Sequence, residues 1–233
     1  MCGRYTLTNP DPVKLRQRFM LGESAVPDFP PRYNVAPTDP VLAVRRTETG
    51  GREAGRLRWG LVPGRWAEES GSRPLINARA EGLTRQAAFS ESFRGRRCLI
   101  PGDGFYEWRR DERGRRPFWI ARADGDLFAF AGIWAALPAR ASGEEGEMLH
   151  SCAIVTTGPN DLIRPIHDRM PVILDPDLEA AWLDPDADEE ELLRMLRPLP
   201  SDRLAMREIS DAVNDVRNDR PELLEPRAEM ELL

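Results

Sequence analysis

Between residues 40 and 174 the chain is a succession of apolar runs of strand length: PVLAVRR, GRLRWGLV, CLIPGDGFYEWRR, RPFWIARAD, LFAFAGIWAAL, HSCAIVTT and MPVIL. Gly, Pro and charged turns separate them, which is the pattern of consecutive strands. So many short sequential strands favour a largely antiparallel, curved sheet over a doubly wound one. The segment RRDERGRR between two runs reads as a hairpin. Helical spacing appears only around this core. Asp11 and Pro12 read as cap and first residue of a short helix, VKLRQRF, and Asp175 and Pro176 play the same part before PDLEAAWL. The run DADEEELLRMLRP opens with an acidic first turn that suits the helix dipole.

No internal repeat and no long linker divides the 233 residues, so a single domain over 1–233 is expected, with an acidic, partly disordered tail from about Asp219. No stretch reaches the roughly 20 apolar residues of a membrane span, and MCGRYTLTNP lacks the pattern of a secretion signal. A cytosolic monomer is expected. Cys2, Cys98 and Cys152 are odd in number and far apart, and two histidines add no ligand spacing, so neither disulfide, metal nor cofactor is expected. Phosphate loops, dinucleotide fingerprints, the GxSxG elbow and HExxH are missing, which removes the common nucleotide and hydrolase classes.

The net charge of −6 is unevenly spread. Residues 1–174 hold 26 Arg and Lys against 21 Asp and Glu, while residues 175–233 hold 7 against 18. A mildly basic body thus precedes an acidic segment, and the body remains open to phosphate binding. Its cations are arginines except Lys14, which suits bidentate phosphate contacts and equally fits a codon bias. With one lysine in the chain, an amine available for imine chemistry is most readily the N-terminus.

Removal of Met1 would leave Cys2 with an α-amine and a thiol on one residue. Such a 1,2-aminothiol condenses with an aldehyde to an imine, and the sulfur then closes a five-membered thiazolidine ring. The α-amine, with a pKa of about 7.7–8.0, is partly neutral near pH 7. Glu107 lies in DGFYEWRR, where strand alternation groups it with Phe105 and Arg109 and sets Tyr106 and Trp108 opposite. It is either a carboxyl with a raised pKa that moves protons or an ordinary ion pair. Asn77 in PLINARAE is an amide beside an apolar pair, and His167 in PIHDRMPVIL is an acid–base candidate or part of a local ion-pair turn.

MCGRY, YNVAPT, RWGLVP, INARAE, DGFYEW and IHDRMPVIL, followed by S-x-x-V-N at Ser210–Asn214, together resemble the SRAP family, the SOS response-associated peptidases, in the family's own order over roughly residues 1–218. The resemblance implies a single α+β domain, a curved, mostly antiparallel, barrel-like sheet with peripheral helices, that covalently captures abasic sites in single-stranded DNA, and a place at the nucleoid when bound. It makes Cys2 the crosslinking nucleophile, Asn77 an orienting amide, Glu107 the general acid/base and His167 a second proton-transfer group. It points to Arg4, Arg79 and Arg169 as DNA contacts, with Trp66 as a stacking residue and Asn34 and Pro37 shaping the pocket. Gly82 departs from the pattern, since a residue with a side chain is usual there. The competing readings are a cysteine autopeptidase using Cys2, and a DNA-binding module without catalysis.

Overall fold

The computed structural model describes residues 3–22, 26–63, 74–112, 114–138 and 148–227. Thirteen strands and four α-helices follow in chain order: β1 Tyr5–Leu7, α1 Pro12–Phe19, β2 Arg32–Val35, β3 Pro40–Arg46, β4 Arg52–Trp59, β5 Asn77–Arg79, α2 Ala87–Gly95, β6 Arg97–Gly102, β7 Gly104–Asp111, β8 Gly114–Arg122, β9 Phe128–Pro138, β10 Met148–Thr157, β11 Met170–Pro171, β12 Ile173–Leu174, α3 Glu179–Leu183, α4 Glu189–Met195 and β13 Leu204–Glu208. The α+β class with a curved, mostly antiparallel, barrel-like sheet, which the resemblance implies, is the one observed.

Strands β10, β4, β3, β6 and β9 form a closed ring, because β9 pairs with β10 as well as with β6. Closure leaves few sheet edges to protect. Every pairing in the ring is antiparallel except β10 with β4. β9 is buried along Phe128–Ile133, which explains its unbroken apolar sequence, since both its faces are covered. A second, wholly antiparallel sheet runs β13-β8-β7-β1-β2.

The second sheet lies between two cores. On one face Tyr5 meets Trp59 and Phe130 edge-on at 5.4 and 5.5 Å, and Phe105 meets Phe130 at 6.3 Å, locking the sheet to the ring. On the other, Tyr106 packs with Ile209, Val213 and Leu223 of the C-terminal segment. Gly104 admits this arrangement: a Cβ there would sit 2.2 Å from the indole nitrogen of Trp119.

The helix caps follow the sequence. Asp11 accepts from the Lys14 amide at 2.8 Å, Pro12 starts α1, and Asp188 accepts from the amides of Glu190 and Glu191 at the start of α4. Asp175 behaves otherwise. Pro176–Leu178 forms a 3₁₀ turn before α3, and the Asp175 carboxylate pairs with Arg203 instead of capping. The run CLIPGDGFYEWRR is two strands, not one. It divides at Asp103 between the ring and the second sheet, where the Asp103 carboxylate accepts from Thr6 Oγ1 and from the Thr8 amide and hydroxyl, each at 2.6 Å.

Residues 219–227 are built into the fold. The Asp219 carboxylate accepts from Arg32 and from the amides of Tyr33 and Asn34, and Leu223 is 1 % exposed. Among the described residues no helix is long and apolar enough to cross a membrane.

Thr38 is a point of strain. Ala36–Asp39 forms a turn closed by the Asp39 amide to the Ala36 carbonyl at 3.1 Å, with Pro37 second and Thr38 third at φ 77°. That third position of a type II turn favours Gly, and a β-branched residue there is an outlier. Thr38→Gly is expected to raise stability by about 1 kcal/mol, read as a higher urea midpoint at unchanged slope.

Candidate active site at the end of the second sheet

The first strand, β1, is held against β7. Tyr5 pairs with Phe105 and Thr6 with Gly104, and the Tyr106 amide donates to the Arg4 carbonyl at 3.0 Å. Continued by one residue, this register brings Gly3 alongside Glu107. The two share a cavity of about 510 Å³ with Arg4, Trp108, Arg110, Arg115, Ile166 and His167. A larger cavity of about 1020 Å³, bordered by Thr8, Asp103, Trp119 and Arg122, contains none of the candidate site residues named above.

Glu107 is 2 % exposed. Burial is the main cause that lifts its pKa to about 7, and the positive charge of Arg115 is among the groups that pull it back. The group is therefore poised to hold or release a proton near neutral pH.

His167 is hung between fixed points. Ile163, fully buried, accepts at its carbonyl from the His167 amide at 2.9 Å, and Met170, also fully buried, begins β11 three residues later. The Arg169 amide donates to His167 Nδ1 at 3.0 Å, while an Asp168 carboxylate oxygen lies 2.9 Å from the same nitrogen. One nitrogen cannot both accept from the amide and donate to the carboxylate. Burial foremost lowers the imidazole's pKa, so the neutral ring, accepting at Nδ1 and carrying its proton on Nε2, is the prevailing form at neutral pH. Protonation would switch Nδ1 to Asp168, which is exposed.

A neighbouring cluster gathers on β10. Asn77 and Arg79 lie on β5, paired in parallel with Ile154 and Thr156 of β10. Asn77 is half-buried and stands outside the lining of the Glu107 cavity, and Arg79 is exposed. Arg169 reaches the same place: its guanidinium clasps both oxygens of Glu81 at 2.6 and 2.9 Å and donates to the Thr156 carbonyl at 2.7 Å. The loop from His167 to Arg169 thus joins the two clusters. With two of its nitrogens on Glu81 and its side chain only 12 % exposed, Arg169 fixes this loop.

Asn34 lies behind the cavity wall. It is fully buried, its Oδ1 accepts from Arg4 at 2.8 Å, and its Nδ2 donates to the carbonyls of Val213, Asp215 and Asn218 at 3.2, 3.2 and 2.8 Å. Its amide is spent inside the protein, where it positions Arg4 at the cavity wall. Pro37, half-exposed in its turn, does not border the cavity. At Gly82 a Cβ would meet the Gln86 side chain at 2.5 Å, so the glycine makes room for Gln86 just ahead of α2. Cys2 and Trp66 lie outside the described residues. Cys98 and Cys152 are fully buried, and burial pushes the Cys98 thiol up to about 12, which makes it a poor nucleophile.

Four cavity residues were not singled out in the sequence: Trp108, Arg110, Arg115 and Ile166. The hairpin signal RRDERGRR was the available clue to two of them. Arg4 carries a lowered pKa, through its own half-burial first and then through the nearby charge of Arg115. The S-x-x-V-N element backs this wall. Val213 accepts at its carbonyl from Arg4 at 3.0 Å, and Asn214 Oδ1 accepts from the Trp108 indole at 2.8 Å.

Residues 1–216 match a protein family described as SOS response associated peptidase (SRAP). Among curated proteins the chain is similar to "Abasic site processing protein YoqW" of Bacillus subtilis (strain 168), 38 % identical over 227 residues, covering 97 % of this chain and 99 % of that protein. It is equally similar to "Abasic site processing protein YoaM" of the same organism, 38 % identical over 237 residues, covering 99 % and 100 %. Among solved structures a protein from Bacteroides thetaiotaomicron superposes with a TM-score of 0.83 at 23 % identity, covering 97 % of this chain and 99 % of that one, and so shares the fold.

Proposed function

Because the chain belongs to the SOS response associated peptidase family, we propose that it processes abasic sites in single-stranded DNA by bonding Cys2 covalently to the opened sugar. The observation that carries this reading is the strand register that sets Gly3 beside a buried carboxyl with a pKa of about 7. Consecutive Cα atoms are about 3.8 Å apart, so whatever Cys2 attacks has Glu107 within reach.

The steps assign each group a task. Opening of the sugar's hemiacetal moves the hydroxyl proton away and returns one to the ring oxygen, leaving an aldehyde. The neutral amine of Cys2 adds to that carbon, and the resulting carbinolamine loses water once its hydroxyl is protonated, giving an imine. Glu107 in its protonated form supplies that proton, and as the carboxylate it takes the one that the amine sheds. The Cys2 sulfur then adds to the imine carbon, closing the thiazolidine as the nitrogen recovers a proton. His167, neutral with its proton on Nε2, serves ring opening. Asn77, at the head of β5, orients the amine or the sugar, and Arg4 and Arg79 take up phosphate charge. Removal of Met1 by the same Cys2 is the hydrolytic step this reading requires of the chain or of a processing enzyme.

The test is a denaturing gel. Met1-processed protein is incubated with a single-stranded oligonucleotide bearing one abasic site, and a heat-stable slower band is expected that Cys2→Ala abolishes. A band that survives Cys2→Ala, or no band with Met1 removal confirmed by mass, would overturn the covalent reading. Cys2→Ser separates the autopeptidase alternative, since a hydroxyl supports slow hydrolysis but cannot form the sulfur ring.

A further inference from the structure

The hairpin of β7 and β8 sets like charges face to face. Arg109 stands opposite Arg116, and Arg110 opposite Arg115, an arrangement that destabilises a ladder unless it is neutralised. The two pairs are treated differently. Arg116 donates to Glu208 of β13 at 2.9 Å, and Arg109 lies over Phe118 at 5.2 Å. Among the described residues, neither Arg110 nor Arg115 forms an ion pair with a carboxylate, although arginines elsewhere are paired as far out as Arg217 with Asp215; Arg115 acts on Glu107 through its charge alone.

Arg115 is held by other means. Its guanidinium carbon is 4.4 Å from the centre of the Trp108 ring, and that indole is itself tied to Asn214. Both exposed arginines border the same cavity as Arg4, Gly3 and Glu107. In a chain of net charge −6, two cross-strand guanidiniums without an ion pair, bordering the same cavity as Arg4, form a site for an anion from outside. Cross-strand partners have Cβ atoms about 4.5–5.5 Å apart, so two arginine forks can close on the two non-bridging oxygens of one phosphodiester.

We propose that Arg110 and Arg115, the latter braced on Trp108, seat a backbone phosphate flanking the lesion, a subsite separate from the groups that react with the aldehyde. The proposal rests on the abasic-site reading for the identity of its ligand. The shared cavity places the seat within about one nucleotide of the captured sugar.

Binding is measured by fluorescence anisotropy across a range of KCl, with a single-stranded oligonucleotide carrying tetrahydrofuran in place of the abasic sugar. Having no aldehyde, it cannot crosslink. In R110Q/R115Q the slope of log K against log salt is expected to be shallower by about 0.7, the value for one phosphate contact on a single strand. Arg94→Gln, on the exposed face of α2, should leave the slope as it is. Uncharged methylphosphonates on both sides of the lesion should shallow the slope of the parent protein but add nothing to that of R110Q/R115Q. An unchanged slope in the variant overturns the seat, and fully additive losses move it away from the lesion and overturn the flanking assignment. If the variant failed to fold, an unchanged parent slope with the methylphosphonate strand would still refute the proposal. A parent that shows the expected slopes but forms no crosslink with a true abasic strand keeps the seat and removes the covalent reading, so the two failures are distinguishable.

Discussion

Glu107→Gln is expected to slow covalent capture about 10²- to 10⁴-fold while making the protein more stable above pH 7. The first effect follows from proton handling. Gln can neither release nor accept the proton that carbinolamine dehydration and sugar opening require, and general acid–base groups contribute that much in well-placed sites. The parent's rate should fall on the alkaline side as Glu107 ionises with a pKa of about 7, and this limb should vanish in the variant. The second effect follows from linkage. In the unfolded chain the carboxyl titrates near 4.5, whereas the native state keeps its proton to about 7. Between these values the native state binds more protons than the unfolded state, so stability drops as pH rises from about 4.5 to about 7 and then levels. At 1.36 kcal/mol for each pKa unit, the ionised group costs the native state on the order of 3 kcal/mol. Gln removes that cost. For a chain of this length a gain of this size corresponds to a melting temperature higher by roughly 5–10 °C at pH 8, shrinking toward zero below pH 4.5. A variant that lost activity without the pH-dependent gain in melting temperature would show that Glu107 does not sit at the raised pKa, and a variant of undiminished rate would remove it from the chemistry.

What the sequence carried and what it hid divide along a physical line. Local sequence revealed the strands of the ring, the cap of α1, the acidic first turn of α4 and the face on which Glu107 lies, because each depends on neighbours a few residues away. Spacing could not say that CLIPGDGFYEWRR passes between two sheets, since the strand pattern is the same on both sides of Asp103. Nor could composition show that residues 219–227 are built into the fold. Their charge and prolines read as loose chain, yet one carboxylate bound to β2 and one buried Leu223 hold them down. Arg169 and Arg79 look alike in the sequence, but the partner that fills the fork of Arg169, Glu81, is 88 residues away. The hairpin was legible, whereas its role as a bank of uncompensated charge appears only when the register sets Arg110 opposite Arg115.

Asn34 is where distant contacts decide most. Asn34→Leu, close in volume, is expected to cost about 3–5 kcal/mol, more than most single substitutions, because it leaves three inward carbonyls and one Arg4 donor without the amide that joined them. Each unpaired buried group costs about 1–3 kcal/mol, and water reaching the outermost carbonyls limits the sum. The melting temperature should fall by roughly 6–20 °C. The same amide connects β2, the S-x-x-V-N segment and the guanidinium at the mouth of the cavity, so the loss reaches function. Measured well below its melting temperature, Asn34→Leu should capture abasic strands at least about tenfold more slowly, as a displaced Arg4 no longer holds the strand in register with Cys2. Arg4→Ala should slow capture by a similar factor, and the double variant by little more than either alone, because both changes break one interaction. Independent, multiplying losses would instead make Asn34 a purely structural residue whose tie to Arg4 has no bearing on the chemistry.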